Sequence, residues 1–341
     1  MTTQLPSIDV TFLPAPPDWP PYAWRPIQYE DLPALHRMLL AADQADDRDF
    51  ADSLSDLQTQ FDDPWSNPAT DSLLALAPDG RVVAMARAFA NPQPPEEARA
   101  FLWTEVHPAE RGRGLEEFLL DWAEARAYQR VQTMPAGLPR AFRYGVQDTQ
   151  ADAIARLERR GYRPVRYFYK MRRDLRQPIP DRRLPGGLTL RRFSPELSRA
   201  VLDAMNEAFR DHWSFEPTTE QDWEMFFIRR SSFRPDLTFV AMDGDQVAGL
   251  CFNTVNVEEN ARSGLNEGWI AELAVRRPWR KRGVASALLC ESMRAFDADG
   301  LQHAGLGVDT ENQTGALRLY EGLGFRPVRR RIAFARSIGD G

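Results

Sequence analysis

The same succession of punctuation marks occurs twice in this chain, and that recurrence limits its fold more than any other feature. Asp79-Gly80 is answered by Asp243-Gly244, Gly114 by Gly283, and Gly161-Tyr162 by Gly324-Phe325, at separations of 164, 169 and 163 residues. Each set reads in the same order. A hairpin turn lies between apolar runs, a strand feeds a basic glycine turn into a helix, and a helix closes on glycine and an aromatic. Separations this long mark a duplicated domain, because solenoid and propeller repeats run at roughly 20–50 residues. A chain of 341 residues is also about the length of two domains. The expected organisation is an arm over residues 1–23, a first copy over 24–175, a connection over 176–187 and a second copy over 188–341. The arm holds Pro6, Pro14, Pro16, Pro17, Pro20 and Pro21, a density that favours extended chain. The connection bears prolines and glycines, and Leu188-Thr189-Leu190 opens the second copy.

The stretch from Trp269 to Phe296 carries the clearest chemistry. Its first part, to Val275, is apolar and short, as a buried strand would be. Its last part places Ala285, Leu288, Leu289, Met293 and Phe296 on one helical stripe. Between them lies a turn with five cations, Arg276, Arg277, Arg280, Lys281 and Arg282, ending in Gly283. The free N–H groups of a first helical turn and the helix dipole both favour an anion. A phosphate-bearing ligand is expected there. Downstream, Gly307 to Asn312 leads into Ala316-Leu317-Arg318-Leu319-Tyr320 and the closing Gly322-Leu323-Gly324-Phe325.

Arg280-Lys281-Arg282-Gly283-Val284-Ala285 matches Arg/Gln-x-x-Gly-x-Gly/Ala, and with the Asn312–Tyr320–Gly324 pattern it resembles the GCN5-related N-acetyltransferase (GNAT) superfamily. The resemblance covers residues 24–341 and is nearest to tandem GNAT proteins in the mycothiol-synthase-like arrangement. There a degenerate first copy accompanies a catalytic second one. It implies two tandem α/β domains, each a mixed, mostly antiparallel sheet flanked by helices, whose fourth and fifth strands splay to admit a pantetheine arm. It also implies direct transfer from acetyl-CoA, or another acyl-CoA, to the amine of a small molecule.

Carried onto this chain, the resemblance assigns the diphosphate to main-chain N–H groups of Arg282, Gly283, Val284 and Ala285, helped by Arg280 and Lys281. The backbone of Leu273, Ala274 and Val275 would pair with the pantetheine amides, Asn312 would bond the arm or a water, and Tyr320 would protonate the leaving thiolate. The base stays open between Glu272, Glu267, Asp309 and a water chain. Strict alternation puts Glu272 on the face opposite Trp269, Ala271, Leu273 and Val275. His212, Trp213 and Glu267 are the expected acceptor contacts, with core packing the other reading for Trp213, Phe215 and Trp223. A CoA-binding or partner-binding module without turnover is the alternative function.

The two copies differ where this chemistry would sit. Glu116 stands in the place of Ala285, Leu157 in that of Tyr320 and Thr149 in that of Asn312. The first copy is therefore expected to be structural. Composition excludes other classes. A net charge of −6 confines the basic turn to a local role and gives nucleic acid no footprint. Cys251 and Cys290 lack metal spacing and are expected as free core thiols, and His36, His107 and His303 form no metal set. Gly305-Leu306-Gly307 and Gly322-Leu323-Gly324 begin like dinucleotide fingerprints, but Thr310 and Pro327 fill the third glycine's place. No apolar run suits a membrane span and no basic-then-apolar leader opens the chain, so a cytoplasmic protein is expected. An internal duplication can stand in for a homodimer, which leads to the expectation of a monomer or weak dimer.

Overall fold

Val82–Phe89 and Gln246–Thr254 are buried over nearly their whole length. Strands of that kind must lie inside a sheet with helices over both faces. The computed structural model describes residues 12–18, 21–48, 53–63, 65–312 and 315–339; most of the expected N-terminal arm lies outside the described residues. Two compact units emerge. One comprises residues up to Tyr167 together with Arg331 onward, and the other Phe168–Arg330.

The chain runs β1 (Ala23–Arg25), α1 (Leu32–Ala45), α2 (Leu54–Phe61), α3 (Pro68–Asp71), β2 (Ser72–Leu76), β3 (Val82–Phe89), β4 (Ala98–Val106), α4 (Leu115–Gln132), β5 (Arg140–Gln147), α5 (Ala151–Arg159) and β6 (Arg163–Asp174). The second half runs β7 (Thr189–Arg192), α6 (Ser198–Phe209), α7 (Glu220–Trp223), β8 (Phe239–Asp243), β9 (Gln246–Thr254), α8 (Val257–Ser263), β10 (Glu267–Val275), α9 (Val284–Ala298), β11 (His303–Asp309), α10 (Ala316–Gly322) and β12 (Arg326–Ile338).

In the first unit β1 to β4 pair antiparallel in chain order, β4 and β5 pair parallel, and Arg331–Ile338 of β12 lies antiparallel to β5. In the second, β7 to β10 pair antiparallel, β10 and β11 pair parallel, and Phe168–Asp174 of β6 lies antiparallel to β11. The mixed, mostly antiparallel sheets flanked by helices are those expected. Each unit closes with a strand that follows the other's last helix in sequence. The two parallel ladders share one register: Ala98 faces Arg140 as Glu267 faces His303.

Helices cover both faces of the second unit's sheet. Leu288, Met293 and Phe296 of α9 pack with Tyr320 and Leu323 on one face, while Val201 and Met205 of α6 pack with Trp223 and Phe252 on the other. Both cysteines are free and buried in this unit. Trp223 is 3% exposed and stacks on Phe227 at 4.8 Å, so core packing accounts for it. The connecting residues 176–187 are pinned to the second unit: Ile179 and Leu184 pack against the α9 side, and Arg173 donates to the Pro178 carbonyl at 2.8 Å.

The stretch 45–72 is acidic and broken by Asp63-Pro64 and Asn67-Pro68, which argues for irregular chain, yet it contains α2. Ser53 and Asp56 form its capping box, and Leu57 anchors it in the core. That signal is local and was masked by the surrounding acidic residues. Among the described residues no helix is long and apolar enough to cross a membrane, and no cluster of His, Cys, Asp and Glu could hold a metal ion.

The end of α10 shows why Gly324 is glycine. Its φ is +92°, and an added Cβ would run into the guanidinium of Arg173, which is buried and donates to the Leu323 carbonyl. The turn lets the Phe325 N–H reach back 3.0 Å to the Tyr320 carbonyl. Gly324→Ala should therefore cost about 1–3 kcal/mol of stability, read as a lower urea midpoint with an unchanged slope.

Candidate functional site

The site begins where a ladder stops. β10 and β11 pair from Glu267–His303 to Ile270–Leu306, and the parallel ladder ends there. Residues 271–275 and 307–309 continue as strands, held by β9 and β6 on their outer sides. Along the inner side the β10 backbone offers N–H and C=O groups with no strand to pair them. The expected splay of the two strands is present.

A bulge in β10 sits at the apex of this wedge: Ile270 opposes Asn253 and Glu272 opposes Phe252, leaving Ala271 between. The bulge corrects the alternation expected above. Ile270, Leu273 and Val275 pack toward α9, whereas Ala271 and Ala274 pack toward α6. Strict alternation would have kept Ala271, Leu273 and Val275 on one face and Ile270 and Ala274 on the other. The phase slips by one residue at Ala271 and Glu272, which a period of two cannot anticipate.

Glu272 is partly accessible, and among the described residues its carboxylate has no hydrogen-bond or ion-pair partner. Burial pushes its pKa up to about 7. Tyr320 is 8% exposed, its ring edge-on to Phe325 at 6.1 Å. Its pKa is raised by burial first, then by the charges of Cys251 and Glu272. Among the described residues nothing accepts a hydrogen bond from its hydroxyl. A carboxylate near neutrality and an unengaged phenol thus lie within electrostatic reach of each other.

The other acidic candidates are already engaged. Glu267 sits at the paired end of the ladder, 2.6 Å from Arg172 and 3.6 Å from Lys170. Asp309 caps the turn after β11, accepting the Glu311 N–H at 2.9 Å, and its carbonyl accepts the Asn312 N–H at 3.2 Å. His212, between α6 and α7, is half-buried with its ring edge-on to Phe209 at 4.4 Å. Burial lowers its pKa, Asp309 acts in the opposite sense, and Arg280 adds to the lowering. Trp213 lies 6.2 Å from Phe168 and is only partly buried. Trp269 lies over Gly305 on the same sheet face as Glu267, with Lys170 5.3 Å above its ring.

The turn before α9 has the backbone expected of it, while Arg280 is engaged within the protein. Gly283 takes a φ of +88° as the N-cap of α9, and no side chain caps the first turn, leaving the N–H groups around Val284 and Ala285 outward. Lys281 also adopts positive φ, at 59°. Arg280, however, donates to the carbonyls of Val275 at 3.0 Å and Ala208 at 2.8 Å and faces Asp211. It ties the end of β10 to the end of α6, so its guanidinium is committed to the loop's shape rather than to a phosphate. Lys281 and Arg282 have no carboxylate partner among the described residues.

The first unit repeats this backbone with its openings filled. Tyr144 stands where Gly307 stands, and its hydroxyl bonds the Thr104 side chain at 2.7 Å and the Thr104 carbonyl at 3.1 Å. That phenol occupies the edge which β10 leaves free. At the loop, Gly114 keeps a φ of +84°, but Glu116 turns back to accept the Gly112 N–H at 2.9 Å. A carboxylate of the chain itself therefore lies at this loop, ahead of a first helical turn that has no side-chain cap in either unit. Leu157, in the place of Tyr320, is core.

Both copies match the acetyltransferase (GNAT) family, over residues 33–162 and 199–325, and the chain belongs to that family. It is 30% identical over 247 residues to a mycothiol acetyltransferase of Acidothermus cellulolyticus, covering 68% of this chain and 70% of the relative. A mycothiol acetyltransferase of Thermobispora bispora is 31% identical over 230 residues, covering 64% and 70%. The crystal structure of a GCN5-related N-acetyltransferase from Sphaerobacter thermophilus aligns with a TM-score of 0.74 at 29% identity, covering 94% and 96% of the two chains. A tandem GNAT protein of the clavulanic acid biosynthesis pathway shares the fold, with a TM-score of 0.66 at 16% identity. The protein is an N-acetyltransferase that uses an acyl-CoA. The uncapped α9 turn and the unpaired β10 edge fit such a molecule, one for its diphosphate and the other for its amides.

Sequence reasoning did not find the open cavity of about 520 Å³ beside the loop, lined in part by Gly283, Ser286, Arg318 and Arg182. Its walls come from segments far apart in the chain, and no spacing within any one of them announces it. For the loop itself, Gly283→Glu should abolish CoA binding in calorimetry, since it puts a charged side chain at a positive-φ position facing the anion. Gly114→Glu should leave one CoA bound per chain.

Proposed function

We propose that the second unit is the catalytic one and that it acetylates a primary amine of a small molecule. The reading is carried by one observation: the β10–β11 ladder stops at Ile270 and Leu306 with Gly307 just beyond it, whereas Tyr144 at the corresponding place in the first unit bonds across to Thr104. An acyl-CoA supplies the thioester, and the C–N bond to the amine forms as the C–S bond breaks. Glu272 accepts the proton that the amine must lose, directly or through a water. Backbone N–H groups of residues 273–275 along the free edge bind the arm and polarise the carbonyl. Tyr320 returns a proton to the sulfur as it leaves. Asn312, in the turn before α10, bonds the arm or a water.

The acceptor enters from the side of His212, Trp213 and Asp309, with Trp269 and the Glu267–Arg172 pair on the face beyond. A depressed His212 pKa keeps that entry from adding a positive charge against an incoming ammonium. Acetyl as the acyl group and a small amine as acceptor are supported by the relatives named mycothiol acetyltransferase.

With the Glu272 pKa near 7, kcat/KM should rise with pH through about 7 and level above it. Glu272→Gln should remove that limb and lower the rate by about 10²–10⁴, measured as free thiol released from acetyl-CoA with an amine panel. Unaltered pH dependence in the variant would assign the proton to another group. The same carboxyl gives a stability signature. Its folded pKa is raised, so the fold favours the protonated form and loses stability as pH rises through 7. Glu272→Gln should match the parent's urea midpoint at pH 4 and exceed it at pH 8. Tyr320→Phe should reduce turnover by about tenfold or more without changing CoA affinity, while equal turnover would remove the phenol from the mechanism.

A further inference from the structure

The cavity beside Gly283 has walls that the first unit closes. In the second unit it is lined by Ser286 of α9, by Arg318, Leu319 and Leu323 along α10, and by Arg182 and Arg183 of the connecting segment. The corresponding residues of the first unit are Glu117 for Ser286, Arg156 for Leu319, Arg159 for Gly322 and Arg160 for Leu323. There Glu117 pairs with Arg156 at 3.3 Å, Arg159 at 3.6 Å and Arg160 at 3.2 Å, bridging α4 to α5. Among the described residues the second unit has no such bridge. Leucines and a glycine replace the arginines, a serine replaces the glutamate, and the groove stays open.

Cations return to this groove from different positions. Arg318 stands where the first unit has Ala155. Arg182 and Arg183 come from residues 176–187, which have no counterpart between equivalent elements of the first unit. Their position is set by neighbours: Ile179 and Leu184 are packed into the core on either side, and the Cys290 thiol lies near the Arg182 backbone. Arg183 shares its charge with Asp181 at 3.3 Å. Arg182 and Arg318 have no carboxylate partner among the described residues. Asp181 also lines the cavity but is paired with Arg183, so two guanidiniums with no ion-pair partner among the described residues face one cavity that starts at the Gly283 loop. Arginine is the side chain best shaped to hold a phosphate by paired N–H donors.

We infer that Arg182 of the connecting segment and Arg318 of α10 bind the phosphorylated ribose of the acyl-CoA, so that the segment joining the two copies selects CoA over its dephosphorylated form. The inference rests on acyl-CoA use by the second unit. With the diphosphate at the α9 N-terminus and the thioester in the wedge, the ribose 3′-phosphate is what remains on the far side of the diphosphate. The cavity at Gly283 and Ser286 is where it falls. The connecting segment then has a chemical function besides covalent linkage.

Calorimetry on the full chain, with CoA and with dephospho-CoA, tests this without depending on turnover. The parent should bind CoA about tenfold or more tightly than dephospho-CoA, the worth of a charge-assisted contact. The Arg182→Ala/Arg318→Ala variant should lose that preference by binding CoA more weakly, while its affinity for dephospho-CoA stays at the parent's value. That unchanged affinity also shows that the variant is folded. With acetyl-CoA and an accepted amine, KM should rise and kcat should hold. A parent that binds both molecules equally, or a variant that keeps the preference or loses both affinities alike, overturns the inference and leaves acyl-CoA use standing. A parent that binds neither molecule removes acyl-CoA use and the inference with it.

Discussion

The parting of β10 from β11 after Ile270 and Leu306 is the constraint on which the rest of the second unit depends. A parallel pair inside a sheet normally keeps its ladder, because each unpaired N–H or C=O withdrawn from water costs about 1–3 kcal/mol. Here the strands are held apart from outside. β9 takes the far edge of β10, β6 the far edge of β11, and Arg280 fastens the Val275 carbonyl to the end of α6. The bulge at Ala271 turns the strand at the point of divergence. Those restraints leave a row of backbone groups that an extended amide-bearing ligand can satisfy, much as an added strand would.

How far the sequence discloses this depends on the range of the interaction involved. The anion loop is a local object, since a strand, a turn needing positive φ and an uncapped helix start lie within about twenty residues. Its backbone was legible from Arg280 to Ala285 together with the stripe of α9. The duplication was legible for the same reason, as turn and cap residues recur at fixed offsets. The face of Glu272 was not legible. A bulge adds one residue to a strand, and nothing in Trp-Ile-Ala-Glu-Leu-Ala-Val distinguishes an alternating strand from a bulged one. The partners of Glu267 were hidden too, because Arg172 reaches it across 95 positions. Arg280 looked like a phosphate ligand because its motif position was read without the carbonyls that surround it.

Comparison of the copies separates what the backbone requires from what the ligand requires. Gly114 and Gly283 adopt nearly the same φ, at 84° and 88°, and both ladders begin in the same register. The fold therefore needs the glycine turn and the parallel pair whether or not anything binds. What differs is how the openings are filled. Tyr144 against Gly307, Glu116 against Ala285, and the Glu117–arginine cluster against Ser286 and the α10 leucines each set a bonded side chain of the first unit against a smaller or uncharged one of the second. The first copy satisfies its own backbone edge, a loop N–H ahead of its helix and its own groove. It thereby gains internal hydrogen bonds and ion pairs in the places where the second keeps vacant donors.

The vacancy has a cost that shows in the ionisation of the site. Glu272 lies among groups that neither hydrogen-bond it nor offset its charge, and burial moves its pKa to about 7. In the first unit the acid nearest in sequence to this position, Glu105, is paired with Arg48 at 2.8 Å and Arg111 at 3.4 Å. A structural carboxylate is normally arranged that way. An unpaired one is tolerated only where the surrounding packing over-determines the geometry, and here Phe252 opposite it and the α9 and α6 cores on either face supply that packing. The same isolation that weakens the fold above neutral pH gives Glu272 the strength that the base role proposed for it requires near neutrality. Stability given up at one residue and reactivity gained there are thus one physical effect, the withdrawal of water from a carboxylate that the chain provides with no partner.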